Sequence, residues 1–142
     1  MLNENEIFEK AFKIHLEGKI KEAQKIYLKL VRKKEKKHNL FFLLATTYLQ
    51  TEDYEKAINF FNKSIDIKSD FADAYNNRGI TLNKLKKYHE AIEDFNRAIK
   101  LKENYFDAHL NKGISLRNLR KYHEAILSYQ NCIKLKSHDA RI

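Results

Sequence analysis

The chain is 142 residues long, 43% hydrophobic and 33% charged, with three Gly, no Pro, one Cys and a formal charge of +9. A hydrophobic share of that size can bury a core, while a single cysteine excludes an internal disulfide and no apolar run is long enough to span a bilayer. Few turn formers and no period-two alternation predict an all-α chain without sheet.

From Glu4 onward a 34-residue unit recurs, and its copies begin at Glu4, His38, Ala72 and Phe106. They cover 4–37, 38–71, 72–105 and 106–139 of one predicted domain, 1–142. Within each unit, helix A is expected over positions 2 to 14, then a three-residue turn such as Lys86-Lys87-Tyr88, then helix B from position 18.

The first unit carries Ala11 and Ala23 at positions 8 and 20 and Tyr27 at position 24. Its net charge is +5, against −2 for the second unit. The excess comes from Lys29, Arg32, Lys33, Lys34, Lys36 and Lys37 near the end of a helix, where cations complement the dipole and face water. A solvated helix end is the reading adopted; anion or nucleic-acid contact through this run is the alternative, because basic residues without interleaved aromatics specify little. Nucleic acid is not an expected partner.

The second unit repeats the pattern with Ala45, Ala57 and Phe61. Phe8, Phe12, Leu16, Phe42, Leu43 and Leu49, all on the helix A segments of the first two units, form an apolar stripe that reads as core packing rather than as a slot for a partner. The third and fourth units, with Gly79, Ala91 and Phe95, then Gly113, Ala125 and Tyr129, match at 17 of 34 positions without a gap. Ile92, Phe95, Ile99 and Leu101 are the expected buried face of helix B in the third unit.

At these positions the chain resembles the tetratricopeptide repeat family, whose pattern is an aromatic, Leu-Gly, Tyr, Ala, Phe and a late Pro. The resemblance covers 136 of the 142 residues and implies a right-handed superhelical solenoid of antiparallel helix pairs. Two departures stand out. Position 7 is Lys10, Arg78 and Lys112 where Leu is usual, and the late Pro is replaced by Glu35, Ser69, Glu103 and Ser137, so nothing of that kind stops the second helix. Arg32 to Lys37 tolerates helix throughout.

In that family helix A lines a concave groove, which places positions 2, 5, 6, 9, 12 and 13 on the binding wall. Asn76, Asn77, Asn83, Lys84, Asn111, Arg117 and Asn118 are the candidate peptide-binding residues. Asn donates and accepts, which suits the amides of an extended peptide; Lys84 and Arg117 suit a carboxylate. Asn77 and Asn111 resemble the asparagine ladder of O-linked N-acetylglucosamine transferase arrays, though Glu9 and Leu43 confine any ladder to the second half. The carboxylate clamp for chaperone tails is matched only at Asn77 and is not expected.

No catalytic or metal motif accompanies this wall. The six His do not converge, His89 and His123 being copied surface residues at position 18, and Glu93 with Asp94 reads as a pair of solvated charges. The expected function is protein-protein interaction through a groove holding an extended peptide or partner helix, with no catalysis and no cofactor. The first unit also looks like the opening of bacterial arrays that precede glycosyltransferase or sulfotransferase-like domains, so a substrate-recruiting front end of a longer enzyme is the alternative. The last helix, with Ile126, Tyr129, Ile133 and Leu135, lacks the polar finish such arrays need, which suggests a longer chain or self-association. The lone Cys132 and the lack of an apolar leader after Met1 point to the cytoplasm.

Overall fold

Each 34-residue unit folds as two α-helices joined by a tight turn. The computed structural model describes residues 1–33 and 37–139, so Lys34, Glu35 and Lys36 of the basic run and residues 140–142 lie outside the described residues. The helices are α1 (Glu4–Leu16), α2 (Ile20–Arg32), α3 (His38–Gln50), α4 (Tyr54–Ile67), α5 (Ala72–Lys84), α6 (Tyr88–Leu101), α7 (Phe106–Asn118) and α8 (Tyr122–Asp139), and the described residues form no strand. The chain divides into two compact units, Met1–Ser69 and Asp70–Ile142. In the first, α1 pairs with α2, α3 pairs with α4, and α2 lies on α3. In the second, α5 pairs with α6, α7 pairs with α8, α6 lies on α7, and α5 runs beside α7.

The turn is set by backbone chemistry rather than by one residue type. At position 15 of every copy the chain enters the left-handed region: Gly18 at φ 79°, Glu52 at 63°, Lys86 at 61° and Arg120 at 60°. That conformation lets two successive amides turn back onto the orphan carbonyls of helix A. Lys86 N donates to Asn83 O at 3.0 Å and Lys87 N to Leu82 O at 2.9 Å; Glu52 and Asp53, and Arg120 and Lys121, repeat the same pair of bonds. Because this cap consumes Leu85-Lys86-Lys87, the turn sits one residue earlier than predicted, and the helices occupy positions 1 to 13 and 17 onward.

Packing within a pair depends on size complementarity. Ala11 and Ala23 flank Tyr27, and Ala45 and Ala57 flank Phe61, all with no exposed surface. In the third copy a Cβ placed on Gly79 would lie 2.7 Å from Phe95 Cε1, and in the fourth one on Gly113 would lie 2.5 Å from Tyr129 Cε1. Glycine is therefore the residue that admits the ring at those two positions. Ile92 and Ile99 are half-buried as expected, whereas Leu101 ends α6 with 40% of its surface exposed.

The basic residue at position 7 of the third copy also finds its explanation. Arg78 Nε and Nη2 donate to Asp94 Oδ2 and Oδ1 at 2.7 and 2.6 Å, a bidentate pair, and the guanidinium lies over the Tyr75 ring at 5.5 Å. Asp94 is 5% exposed, not a solvated charge as the sequence suggested. Burial pushes its carboxyl above the usual range, and the Arg78 bonds oppose that shift. The second copy fills the same two positions with Leu44 and Phe60, so two chemistries occupy one slot.

Arg78→Leu should strand a buried carboxylate and cost about 3–5 kcal/mol in urea denaturation. The folded-state pKa of Asp94 would then be raised further above its unfolded value, so the loss is full at neutral pH and shrinks as pH falls through that raised pKa. Arg78→Leu with Asp94→Phe, the pair of the second copy, should recover most of the loss. Lys86→Gly and Arg120→Gly relieve left-handed strain and should each add about 0.5–1 kcal/mol to the unfolding free energy, read as a higher urea midpoint.

Candidate functional site

All seven sequence-derived candidates lie in the second compact unit, on α5 and α7, two helix A segments that run side by side. Their contact is specific: Ser115 Oγ on α7 lies 2.7 Å from Asn83 Oδ1 on α5 and donates to it. The same hydroxyl is 3.0 Å from the Asn111 carbonyl of its own helix. Asn83 is thus held by its oxygen, and its amide nitrogen stays available as a donor.

Asn77 and Asn111, at the same repeat position, are both half-buried. Asn76 Nδ2 donates to Asn77 Oδ1 at 3.3 Å, which orients the Asn77 side chain and presents its Nδ2 donor. Lys84, Arg117 and Asn118 are exposed. Asn118 turns its amide back to the Ile114 carbonyl at 2.9 Å, leaving its oxygen as the outward group.

Asn76 departs from the expected placement, since only 3% of it is exposed. The reason is Tyr105, the residue just before α7. Its hydroxyl donates to Asp73 Oδ1 at 2.5 Å, which brings the tyrosine beside the Asn76 side chain at position 5. Burial, and then the bond to Asp73, raise the Tyr105 phenol far above its ordinary pKa. Among the described residues Asn76 Oδ1 accepts no hydrogen bond. Tyr105 was missed in the sequence, where the only signal was an aromatic at position 34 of two successive copies, Phe71 and Tyr105.

The apolar stripe of the first compact unit splits in two. Phe8, Phe42, Leu43 and Leu49 pack against the core, with Phe8 6.1 Å from Tyr27 and Phe42 5.9 Å from Phe61 between ring centroids. Phe12 and Leu16 stay outside, at 37% and 73% exposure. His15, on the same helix, is buried: its Nε2 lies 2.7 Å from Gln50 Oε1, an acceptor, and its Nδ1 3.4 Å from the Tyr27 hydroxyl. Burial raises the Tyr27 phenol to about 12, and Glu9 adds to the shift. Among the described residues no three His, Cys, Asp or Glu side chains gather as a metal would require, and no helix is long and apolar enough to cross a membrane.

A family model described as Tetratricopeptide repeat matches residues 72–105 and another of that description matches 106–139, while one described as TPR repeat matches 45–86. No curated protein matches the sequence. Among solved structures, a crystal structure of MamA superposes with a TM-score of 0.92 at 17% identity, covering 97% of this chain and 81% of that one. MamA 41-end from Desulfovibrio magneticus RS-1 gives 0.90 at 13% identity, covering 96% and 77%. A structure of YrrB, titled a TPR protein with an unusual peptide-binding site, gives 0.83 at 17% identity, covering 93% and 71%. At such identities the likeness shows the fold, an all-α helical repeat of the solenoid class.

Tyr105→Phe should remove a late-ionising phenol from the alkaline ultraviolet titration. The folded pKa of Tyr105 is raised above its unfolded value near 10, so the neutral phenol favours folding and its contribution fades as pH climbs beyond about 10. The variant should show a shallower loss of stability in that window.

Proposed function

The chain belongs to the tetratricopeptide repeat family, and we propose that it is a protein-protein interaction scaffold whose α5–α7 surface holds an extended peptide of a partner. The observation that carries this reading is the pair of half-buried asparagines, Asn77 and Asn111, at one repeat position on neighbouring helices. Asn76 orients the first of them through its amide. Two oriented amides suit the donors and acceptors of a peptide backbone, which any side-chain sequence presents alike.

Around them, Asn83 offers its nitrogen and Asn118 its oxygen. The exposed Lys84 and Arg117 favour a peptide bearing carboxylates, Arg through a bidentate fork. The peptide-binding description of YrrB, which shares this fold, supports the same reading. Work of this kind needs no catalytic group and no cofactor, and a lone buried Cys132 suits a reducing compartment such as the cytoplasm.

Asn77→Ala with Asn111→Ala should weaken a panel of fluorescent extended peptides by roughly 10- to 100-fold, each lost backbone bond being worth about 1 kcal/mol or somewhat more. Circular dichroism and melting should stay near the wild type. Lys84→Glu with Arg117→Glu should weaken acidic peptides and spare neutral ones. Affinities that do not change in the asparagine double variant would place the binding surface elsewhere.

A further inference from the structure

The groove positions of α5 and α7 carry charge only at the helix ends. Asp73 and Asp107 stand at position 2, Lys84 and Arg117 at positions 13 and 12, and all four are exposed. Between them Asn76, Asn77, Ile80, Leu110, Asn111 and Ile114 fill positions 5, 6 and 9 without a charge. The helix dipole favours acid first and base last, but it does not demand them. Helix α3, with the same 13 residues, has no acid in its first turn and no base in its last. Its positions 2, 12 and 13 are Asn39, Leu49 and Gln50.

The starts of the B helices show how readily neighbouring charges pair in this chain, with Lys56 on Asp53 at 2.8 Å, Lys121 on Glu124 at 3.6 Å and Lys87 on Glu90 at 4.0 Å. Among the described residues Asp73, Asp107, Lys84 and Arg117 form no such pair. They are out of reach of one another, since at 1.5 Å per residue the two ends of the groove lie about 15–16 Å apart. The acidic end is also short of donors. Both carboxylates bear on the Tyr105 phenol through their charge, and Asp73 accepts its hydrogen bond. Lys102 lies over the Tyr105 ring face, 4.6 Å from the centroid, rather than on either carboxylate. Beside the same phenol, the buried Asn76 Oδ1 accepts no hydrogen bond among the described residues, an uncommon state for a buried oxygen. A cation that takes the place of the Tyr105 hydroxyl on Asp73 brings several N–H donors to these acceptors where the hydroxyl brings one.

Resting on the reading of α5 and α7 as a peptide surface, we propose that the peptide it takes is amphoteric. A lysine or arginine side chain meets Asp73 and Asp107, and an aspartate or glutamate side chain meets Lys84 and Arg117. The uncharged segment between runs along the two helices, over Asn77, Asn111 and the two isoleucines. An extended chain, at roughly 3.3 Å per residue, covers that span in about five residues. A uniformly acidic or uniformly basic segment is disfavoured, because it sets like charges together at one end of the groove.

Fluorescence anisotropy with the intact chain at low ionic strength, where exposed charges are least screened, tests this. The probes are labelled, end-blocked Ser-Val repeat peptides: one with Lys and Glu about five residues apart, the same peptide with Gln for Lys or Gln for Glu, and one with Lys and Glu adjacent. The spaced peptide should bind tighter than each of the others by about 3- to 10-fold, as a pair of exposed ion contacts at one end allows. Asp73→Asn with Asp107→Asn should erase the preference for Lys and keep that for Glu, with unchanged helicity. Asp73→Lys with Asp107→Lys should reverse it, in favour of a peptide with Glu at both places. Equal affinity for the spaced peptide and its Gln-for-Lys or adjacent form overturns the proposal, as does a Lys preference that outlives the asparagine substitutions; if binding still depends on Asn77 and Asn111, the peptide surface itself stands. A series in which no peptide binds, or in which Asn77→Ala with Asn111→Ala changes nothing, removes the peptide surface and the proposal with it.

Discussion

The aromatic at position 24 and the small residues opposite it are the contact on which the rest of the structure depends. Tyr27, Phe61 and Phe95 are wholly buried, and each needs its facing helix to come within van der Waals reach of a ring edge. Only Ala or Gly at positions 8 and 20 allows that approach. The fourth copy tightens it to the limit, with Tyr129 against the bare Gly113 backbone. Once the two helices are that close, the connection between them must be short, and the left-handed residue at position 15 supplies it by turning the chain while satisfying two carbonyls.

Around this fixed contact the copies differ where the packing leaves a choice. Positions 7 and 23 are Leu44 and Phe60 in one copy and Arg78 and Asp94 in the next. The apolar version belongs to an aromatic cluster in which Phe60 stacks on Tyr48 at 5.6 Å and on Phe41 at 6.1 Å. The ionic version satisfies both carboxylate oxygens with one guanidinium, which is the condition under which a buried charge is tolerable. Fold and slot are shared; the chemistry inside is local.

The same separation organises the surfaces. On α5 and α7 the polar side chains are neither free nor fully used: Asn77, Asn83 and Asn118 each commit one end to the protein and keep the other. Such half-committed amides are oriented before a ligand arrives, which lowers the entropy lost on binding. Charged Glu6 and Lys13 occupy in α1 the positions that are buried in α3, α5 and α7, and on α8 Tyr122, Ile126 and Ile133 are exposed where their counterparts on α6, Tyr88, Ile92 and Ile99, are half-buried.

The repeat period, the eight helices and the small-against-aromatic code were legible in the chain itself, because each rests on residue size at fixed spacing and recurs four times. Helix ends were off by one residue, since the cap is made by backbone amides whose side chains, Gly18, Glu52, Lys86 and Arg120, share nothing but their conformation. Asp94 read as solvated because its partner lies 16 residues away on another helix, and Asn76 read as open because Tyr105, the last residue of the same copy, returns beside it. Sequence periodicity determined which faces meet. Tertiary structure decided which polar groups those faces enclose, because pairing and burial of a charge or an amide depend on neighbours brought together only when helix pairs pack.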